Sequence, residues 1–177
     1  MKVINEMATP SLKAATSNFP ELFKKQHILI IEGRYYKDIG DSLVSGAITE
    51  LEAVGANYTH VVVPGALEIA QVIAQAIERD HVGIDASEPK FTGIIVLGCV
   101  IRGETYHFEV VCAEANRSII DLTIAHVIPL GNGILTVNTY EQALQRATNN
   151  QNGKGGEAAR ACLKLIEVGA LFDGEIV

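Results

Sequence analysis

Ile94-Ile95-Val96-Leu97-Gly98-Cys99-Val100-Ile101-Arg102-Gly103-Glu104-Thr105-Tyr106-His107 is the stretch on which the fold of this chain turns. Its apolar, β-branched start reads as a strand buried on both faces, the signature of a parallel sheet. The run is expected to break at Gly98 and again at Gly103, and a long helical pattern opens at His107. A strand-to-helix turn of this kind points backbone N–H groups and the positive end of a helix dipole at one spot, which suits a phosphate. His107 falls in the first helical turn, where an imidazole can handle protons beside a bound anion. Glycine-containing turns of this type are common and most bind nothing, so the turn needs support from the rest of the chain.

Working outward, strand and helix patterns alternate. Residues 1–26 mix small polar residues with Pro10 and Pro20 and read as an extended arm before a single domain, 27–177. HILIIE (27–32) is a buried strand ending at Gly33. Ile39, Leu43, Val44, Ala47, Ile48, Leu51 and Val54 mark a helical stripe closed by Gly55. A second strand, 58–63, stops at Pro64-Gly65, and a helix over 66–79 follows. Residues 80–90 are polar and form a surface excursion before a third strand, 91–97. The helix at 107–125 is apolar enough to need cover on more than one side. A fourth strand spans 133–137, and Thr139 with Gln142 has capping-box spacing. The last helix, 155–171, turns Ala158, Ala161, Cys162, Leu165 and Ile166 inward. Repeated β-α units with short connections predict a parallel sheet between helical layers, with right-handed crossovers.

Composition bounds the function. The chain has 177 residues, 48% hydrophobic and 20% charged, with a net charge of −7 and three cysteines. That charge, without any basic patch, argues against non-specific nucleic-acid binding. Cys99, Cys112 and Cys162 are odd in number and set in apolar or helical surroundings, as in a reduced cytoplasmic protein. There is no CxxC and no metal site is expected. No basic-then-apolar leader and no run long enough to span a bilayer is present.

Ligands of parallel sheets sit at the carboxyl ends of the strands. Four segments are assigned to that edge: Gly33-Arg34-Tyr35-Tyr36, Pro64-Gly65-Ala66-Leu67-Glu68, the turn from Gly98 to His107, and Leu130-Gly131-Asn132-Gly133. Tyr35 offers a ring to stack on a flat heterocycle. Ala66, Leu67 and Glu68 open a helix whose free N–H groups can hold hydroxyls or a carbonyl. Arg146 and Lys154 flank the 149–153 break between the last two helices, and a guanidinium is suited to clamp a phosphate.

VPGALEI (63–69), GCVIRGETYHFEVV (98–111), GILTVNTYEQALQRA (133–147) and NGKGGEAA (152–159) together resemble the lumazine synthase family, in order and spacing, across 27–171. The resemblance implies a flavodoxin-like three-layer α/β/α sandwich with a four-stranded parallel sheet. It also implies condensation of 5-amino-6-(D-ribitylamino)uracil with 3,4-dihydroxy-2-butanone 4-phosphate, without a cofactor. The products are 6,7-dimethyl-8-ribityllumazine, phosphate and water. Carried onto this sequence, His107 moves protons, while Gly103, Glu104 and Thr105 form the phosphate turn with Arg146 as cationic partner. Tyr35 stacks on the pyrimidine, Ala66, Leu67 and Glu68 line the ribityl region, and Cys99, Val100 and Ile101 present backbone groups to the ring. Asn132 comes from an adjacent subunit of a homo-oligomer, a pentamer in preference to a capsid, with Lys154 and Glu157 nearby.

Two positions depart from the family pattern. Tyr36 stands where an asparagine is usual, and Asn132 stands where many relatives carry phenylalanine. A flavodoxin-like module that holds a flavin or lumazine without turnover is the alternative reading. His107 distinguishes the two, because binding alone gives no use for an imidazole at the rim of the cradle.

Overall fold

The computed structural model describes residues 19–148 and 153–176. Its elements run α1 (Pro20–Lys24), β1 (His27–Gly33), α2 (Lys37–Ala53), β2 (Asn57–Val63), α3 (Ala66–Glu78), β3 (Gly93–Ile101), α4 (His107–Ala125), β4 (Leu130–Val137), α5 (Tyr140–Arg146) and α6 (Lys154–Phe172). The strands form one four-stranded parallel sheet in the order β2-β1-β3-β4. Alternate side chains of the central strands face opposite layers, as the pleat requires. Ile28, Ile30, Ile95 and Leu97 pack with α2, α5 and α6. Leu29, Ile31, Ile94 and Val96 pack with α3 and α4. The three-layer α/β/α expectation is met.

Close backbone contacts lock the layers. An added Cβ on Gly131 would lie 2.0 Å from the Ala158 carbonyl oxygen, and one on Gly155 would lie 1.9 Å from that of Leu43. These glycines let α6 approach both β4 and α2 without intervening side chains. Gly55, at φ +76°, ends α2 in the left-handed conformation. There Ala56 N–H donates to Leu51 O at 3.0 Å, recovering a terminal carbonyl. At α5 the Thr139 hydroxyl accepts from Gln142 N–H at 3.3 Å, while Gln142 Oε1 accepts from Asn138 N–H at 2.8 Å.

Several boundaries differ from the sequence reading. Residues 1–18 of the expected arm, and 149–152 of the expected break, lie outside the described residues. Residues 20–24 form α1 rather than extended chain, because Phe23 is buried in the α2/α6 core. A five-residue helix is too short to display a period in sequence. Gly98 does not break β3, which continues to Ile101, since pairing with both Gly33 and Ile134 holds it in the ladder. Leu130-Gly131-Asn132-Gly133 is not a loop at the carboxyl edge but the first half of β4, with Asn132 in register with Val96. On α6, Leu163 is buried and Leu165 is 47% exposed, so the inner stripe is rotated from the one expected.

The helix expected at 107–125 is α4, residue for residue, and it is the least covered of the long helices. Only Ala115, Ile119 and Thr123 are buried, while Val110, Ile120 and Ile124 are exposed.

Substitution at the tight contact has a clear sign. Gly155→Ala should destabilise the fold by roughly 3 kcal/mol, because two backbones must separate. Gly169→Ala, with nothing within 4 Å of its added Cβ, should be neutral or gain up to about 1 kcal/mol from helix propensity. Denaturation of the two variants side by side checks the contrast.

Candidate active site

From β1 the chain crosses through α2 to β2 on one side. It then returns through α3 to β3 on the other. The carboxyl ends of β1 and β3 therefore bound a topological switch point, where a crevice opens above the sheet. Gly33 and Gly98 pair across it. A Cβ on Gly33 would meet the Gly65 carbonyl carbon at 2.7 Å, so the floor is built from backbone in close approach. Above it lies a cavity of about 290 Å³, lined by Tyr35, Tyr36, Gly65, Ala66, Leu67, Glu68, Cys99, Val100, Ile101, Gly103, Thr105, His107, Phe108 and Val111.

Ten residues named from sequence thus meet in one pocket, brought by the ends of β1, β2 and β3. Two helices begin at its rim. Neither α3, capped by Gly65, nor α4, capped by Tyr106, has a side chain hydrogen-bonded to its first-turn amides. Uncapped helix starts attract anions and polar oxygens. Tyr35 is 74% exposed, so one face of its ring is free for stacking. His107 is exposed at the start of α4, and among the described residues its ring makes no hydrogen bond.

Cys99 is a wall and not a nucleophile. Burial, reinforced by Asp38 and Cys112, pushes its thiol up to about 11, so almost no thiolate exists near neutrality. Tyr36 packs edge-on between Tyr35 and Tyr140, with ring centroids 5.0 and 6.4 Å away. The Tyr140 hydroxyl donates to Asp38, which holds that carboxyl below its ordinary range. The aromatic at position 36 therefore leans on α5 and closes the side of the pocket.

The remaining residues fall elsewhere. Asn132, Arg146 and Lys154 line a second cavity of about 330 Å³ along β4, with Glu157 and Ala158. Among the described residues, no strand pairs with the outer edge of β4 along which this cavity runs. Asn132 donates to Asn116 Oδ1 at 2.8 Å, and Lys154 pairs with Glu157 at 2.5 Å. Arg146 Nη1 donates to Gln142 O at 3.1 Å, which steadies the guanidinium at the end of α5. Glu104 is exposed and lines neither cavity. Among the described residues, no lysine or arginine lines the pocket that holds His107.

Sequence reading placed Tyr36 and Gly65 on the ligand edge without giving either a role, and it missed Phe108 and Val111 as pocket residues. The available signal was spacing: Val111 follows His107 by four residues, and positions four apart share a helix face. It also passed over Arg102. That guanidinium lies 4.2 Å over the Phe108 ring, donates to Asn138 Oδ1 at 3.0 Å and pairs with Glu109. Arg102 thereby ties the end of β3 and the turn after it to the first turn of α4 and to the β4–α5 connection.

Fold and site define a parallel α/β domain with a pocket at its switch point, edged by helix starts. The 6,7-dimethyl-8-ribityllumazine synthase family model matches residues 25–169. A 6,7-dimethyl-8-ribityllumazine synthase of Azorhizobium caulinodans is 49% identical over 144 residues, covering 80% of this chain and 85% of that protein. One of Agrobacterium fabrum is 47% identical over 144 residues, covering 81% and 95%. A 6,7-dimethyl-8-ribityllumazine synthase 1 of Rhizobium meliloti is 48% identical over 145 residues, covering 82% and 92%. The chain belongs to the 6,7-dimethyl-8-ribityllumazine synthase family.

The state of the pocket thiol is directly measurable. Alkylation of the native protein at about pH 8 should leave Cys99 and Cys162 unmodified, because burial raises both thiols. All three cysteines should react after unfolding, with peptide mass spectrometry as the readout.

Proposed function

We propose that this chain condenses 5-amino-6-(D-ribitylamino)uracil with 3,4-dihydroxy-2-butanone 4-phosphate to 6,7-dimethyl-8-ribityllumazine, the penultimate step of riboflavin biosynthesis. Family membership supports the reaction, which makes the chain a transferase. The observation that carries the site is the meeting of Tyr35, the uncapped start of α3 and His107 in one pocket. A module that only binds a flavin or lumazine is not favoured by relatives 47–49% identical to this chain that are named as synthases.

The chemistry asks for orientation and proton transfer. The pyrimidine's 5-amino nitrogen attacks the ketone carbon, and loss of a first water leaves an imine. Removal of a proton from the neighbouring carbon expels phosphate, and the resulting enol becomes a second carbonyl. The ribityl-bearing nitrogen attacks that carbonyl, and loss of a second water closes the ring. His107, beside the phosphate turn of Gly103, Glu104 and Thr105, is assigned the proton transfers. Tyr35 stacks on the pyrimidine, and Ala66, Leu67 and Glu68 receive the ribityl and pyrimidine polar groups. Cys99, Val100 and Ile101 form the wall along the ring.

A phosphate dianion calls for a cation, and the pocket of His107 has none in its lining. Arg146 and Lys154 sit with Asn132 in the cavity on the free edge of β4. We therefore assign a shared site, with one subunit's β4 edge closing the next subunit's pocket, in a homopentamer. The uncovered apolar residues of α4 support burial against other copies. Free cysteines support a reducing compartment, the cytoplasm. Among the described residues, no helix is long and apolar enough to cross a membrane.

Production of lumazine fluorescence from the two substrates tests the activity itself. His107→Ala should lower kcat by roughly ten- to a thousand-fold while leaving the fold intact. An unchanged kcat would remove His107 from the mechanism.

Arg146→Lys should raise KM for the phosphorylated ketone and spare the pyrimidine, since a point charge replaces a fork. Equal weakening of both would point to a displaced loop. Co-assembled His107→Ala and Arg146→Ala chains should regain part of the activity, because some interfaces then hold both native residues. An active monomer, or mixed assemblies with no recovery, would defeat the shared site.

A further inference from the structure

Glu32 lies near the end of β1, after four consecutive aliphatic residues, and is completely buried. A carboxylate so placed loses its hydration and must be repaid by bonds of good geometry. It receives them. Arg34 grips it as a fork, Nε to Oε1 at 2.7 Å and Nη2 to Oε2 at 2.8 Å. His60 Nε2 lies 2.8 Å from Oε2. Room for the carboxylate under the first turn of α2 exists only because residue 40 is glycine, where a Cβ would come within 2.2 Å of Oε1. A hydrocarbon at position 32 would fill such a core site at no electrostatic cost, so fold stability alone gives no reason for the carboxylate.

What the carboxylate holds is the loop that carries Tyr35. Arg34 is fixed at its side chain by Glu32 and Asp41, and at its backbone by donation to Val63 O at 2.9 Å. Tyr36 on the far side is fixed as the residue from which α2 starts. Tyr35 stands between these two anchors with its ring largely in solvent. The ring leans edge-on against that of Tyr36 at 5.0 Å and is otherwise placed by its backbone, whose neighbours on both sides are pinned. Stacking then costs little ordering on binding.

We propose that Glu32, acting through Arg34, is a positioning residue that presets Tyr35 for the flat heterocycle. This inference rests on the functional reading above. Glu32→Gln keeps the shape and removes the charge-assisted fork. It should raise KM for the pyrimidine substrate about five- to tenfold, with kcat within about twofold and KM for the phosphorylated ketone unchanged. A general loosening of the fold would move both KM values together. The decisive measurement is the double-mutant cycle with Tyr35→Ala. With the ring absent, Glu32→Gln should have no further effect on pyrimidine KM. If Glu32→Gln fails to assemble, Arg34→Lys, which keeps the charge and loses the fork, enters the same cycle with the same expectation. Additive effects in the cycle, or a loss confined to kcat, overturn the role of Glu32 while the synthase reading stands. An inactive wild-type chain overturns both.

Discussion

The contact on which this molecule depends is between backbones. At the head of β1, Gly33 faces the Gly65–Ala66 peptide, and a Cβ there would sit 2.7–3.0 Å from its atoms. That approach draws the start of α3 over the end of β1. The parallel pairing of Gly33 with Gly98 brings β3 alongside. Every wall of the pocket is referenced to this junction: the Tyr35 loop leaves from it, α3 begins on it, and β3 continues past it to the turn before α4. A bulkier residue would lift α3 and open the floor. The site is therefore a property of the sheet's topology before it is a property of any one side chain.

The shared site proposed above has an electrostatic ground in the pocket's lining. The lining supplies a stacking ring, amides and an imidazole, but no cation. Arg146 and Lys154, the cations proposed for the phosphate, line the separate cavity along β4, whose outer edge no strand of the described residues pairs with. An exposed strand edge is a liability in a monomer. It ceases to be one if a neighbouring copy covers it. Charge deficit in one cavity and charge surplus in the other are the electrostatic form of the same incompleteness.

The sequence was most legible where one physical signal dominated. Strands buried on both faces cannot disguise themselves, and the α4 pattern was long enough to fix both its ends. Local chemistry read correctly at Thr139 and Gln142, where a cap needs only neighbours in sequence. Reading failed where tertiary contacts override local preference. Gly98 and Gly131 look like breaks, yet each sits in a ladder, and Gly131 also serves the close approach of Ala158. Misreading the LGNG segment moved Asn132 from the free edge of β4 to the carboxyl edge of the sheet. The α1 turn was invisible because one buried residue, Phe23, carries it. Glu32 was visible as a charge inside an apolar strand, but its partner two residues on became meaningful only when the fold put Gly40 above it.

The uncapped helix starts unite these observations. A side chain capping α3 or α4 would stabilise each helix by roughly 1 kcal/mol, and the chain has glycine at one start and a non-bonding tyrosine at the other. Amides left unsatisfied at a protein's surface are served by water until a ligand with oxygens arrives. The substrates assigned here are rich in such oxygens, on the ribityl chain, the pyrimidine and the phosphate. The α5 start, away from His107's pocket, does carry its side-chain cap. The starts of α1, α2 and α6 lack a side-chain cap too, so it is their place on the pocket rim, and not the missing cap alone, that gives the first-turn amides of α3 and α4 another use.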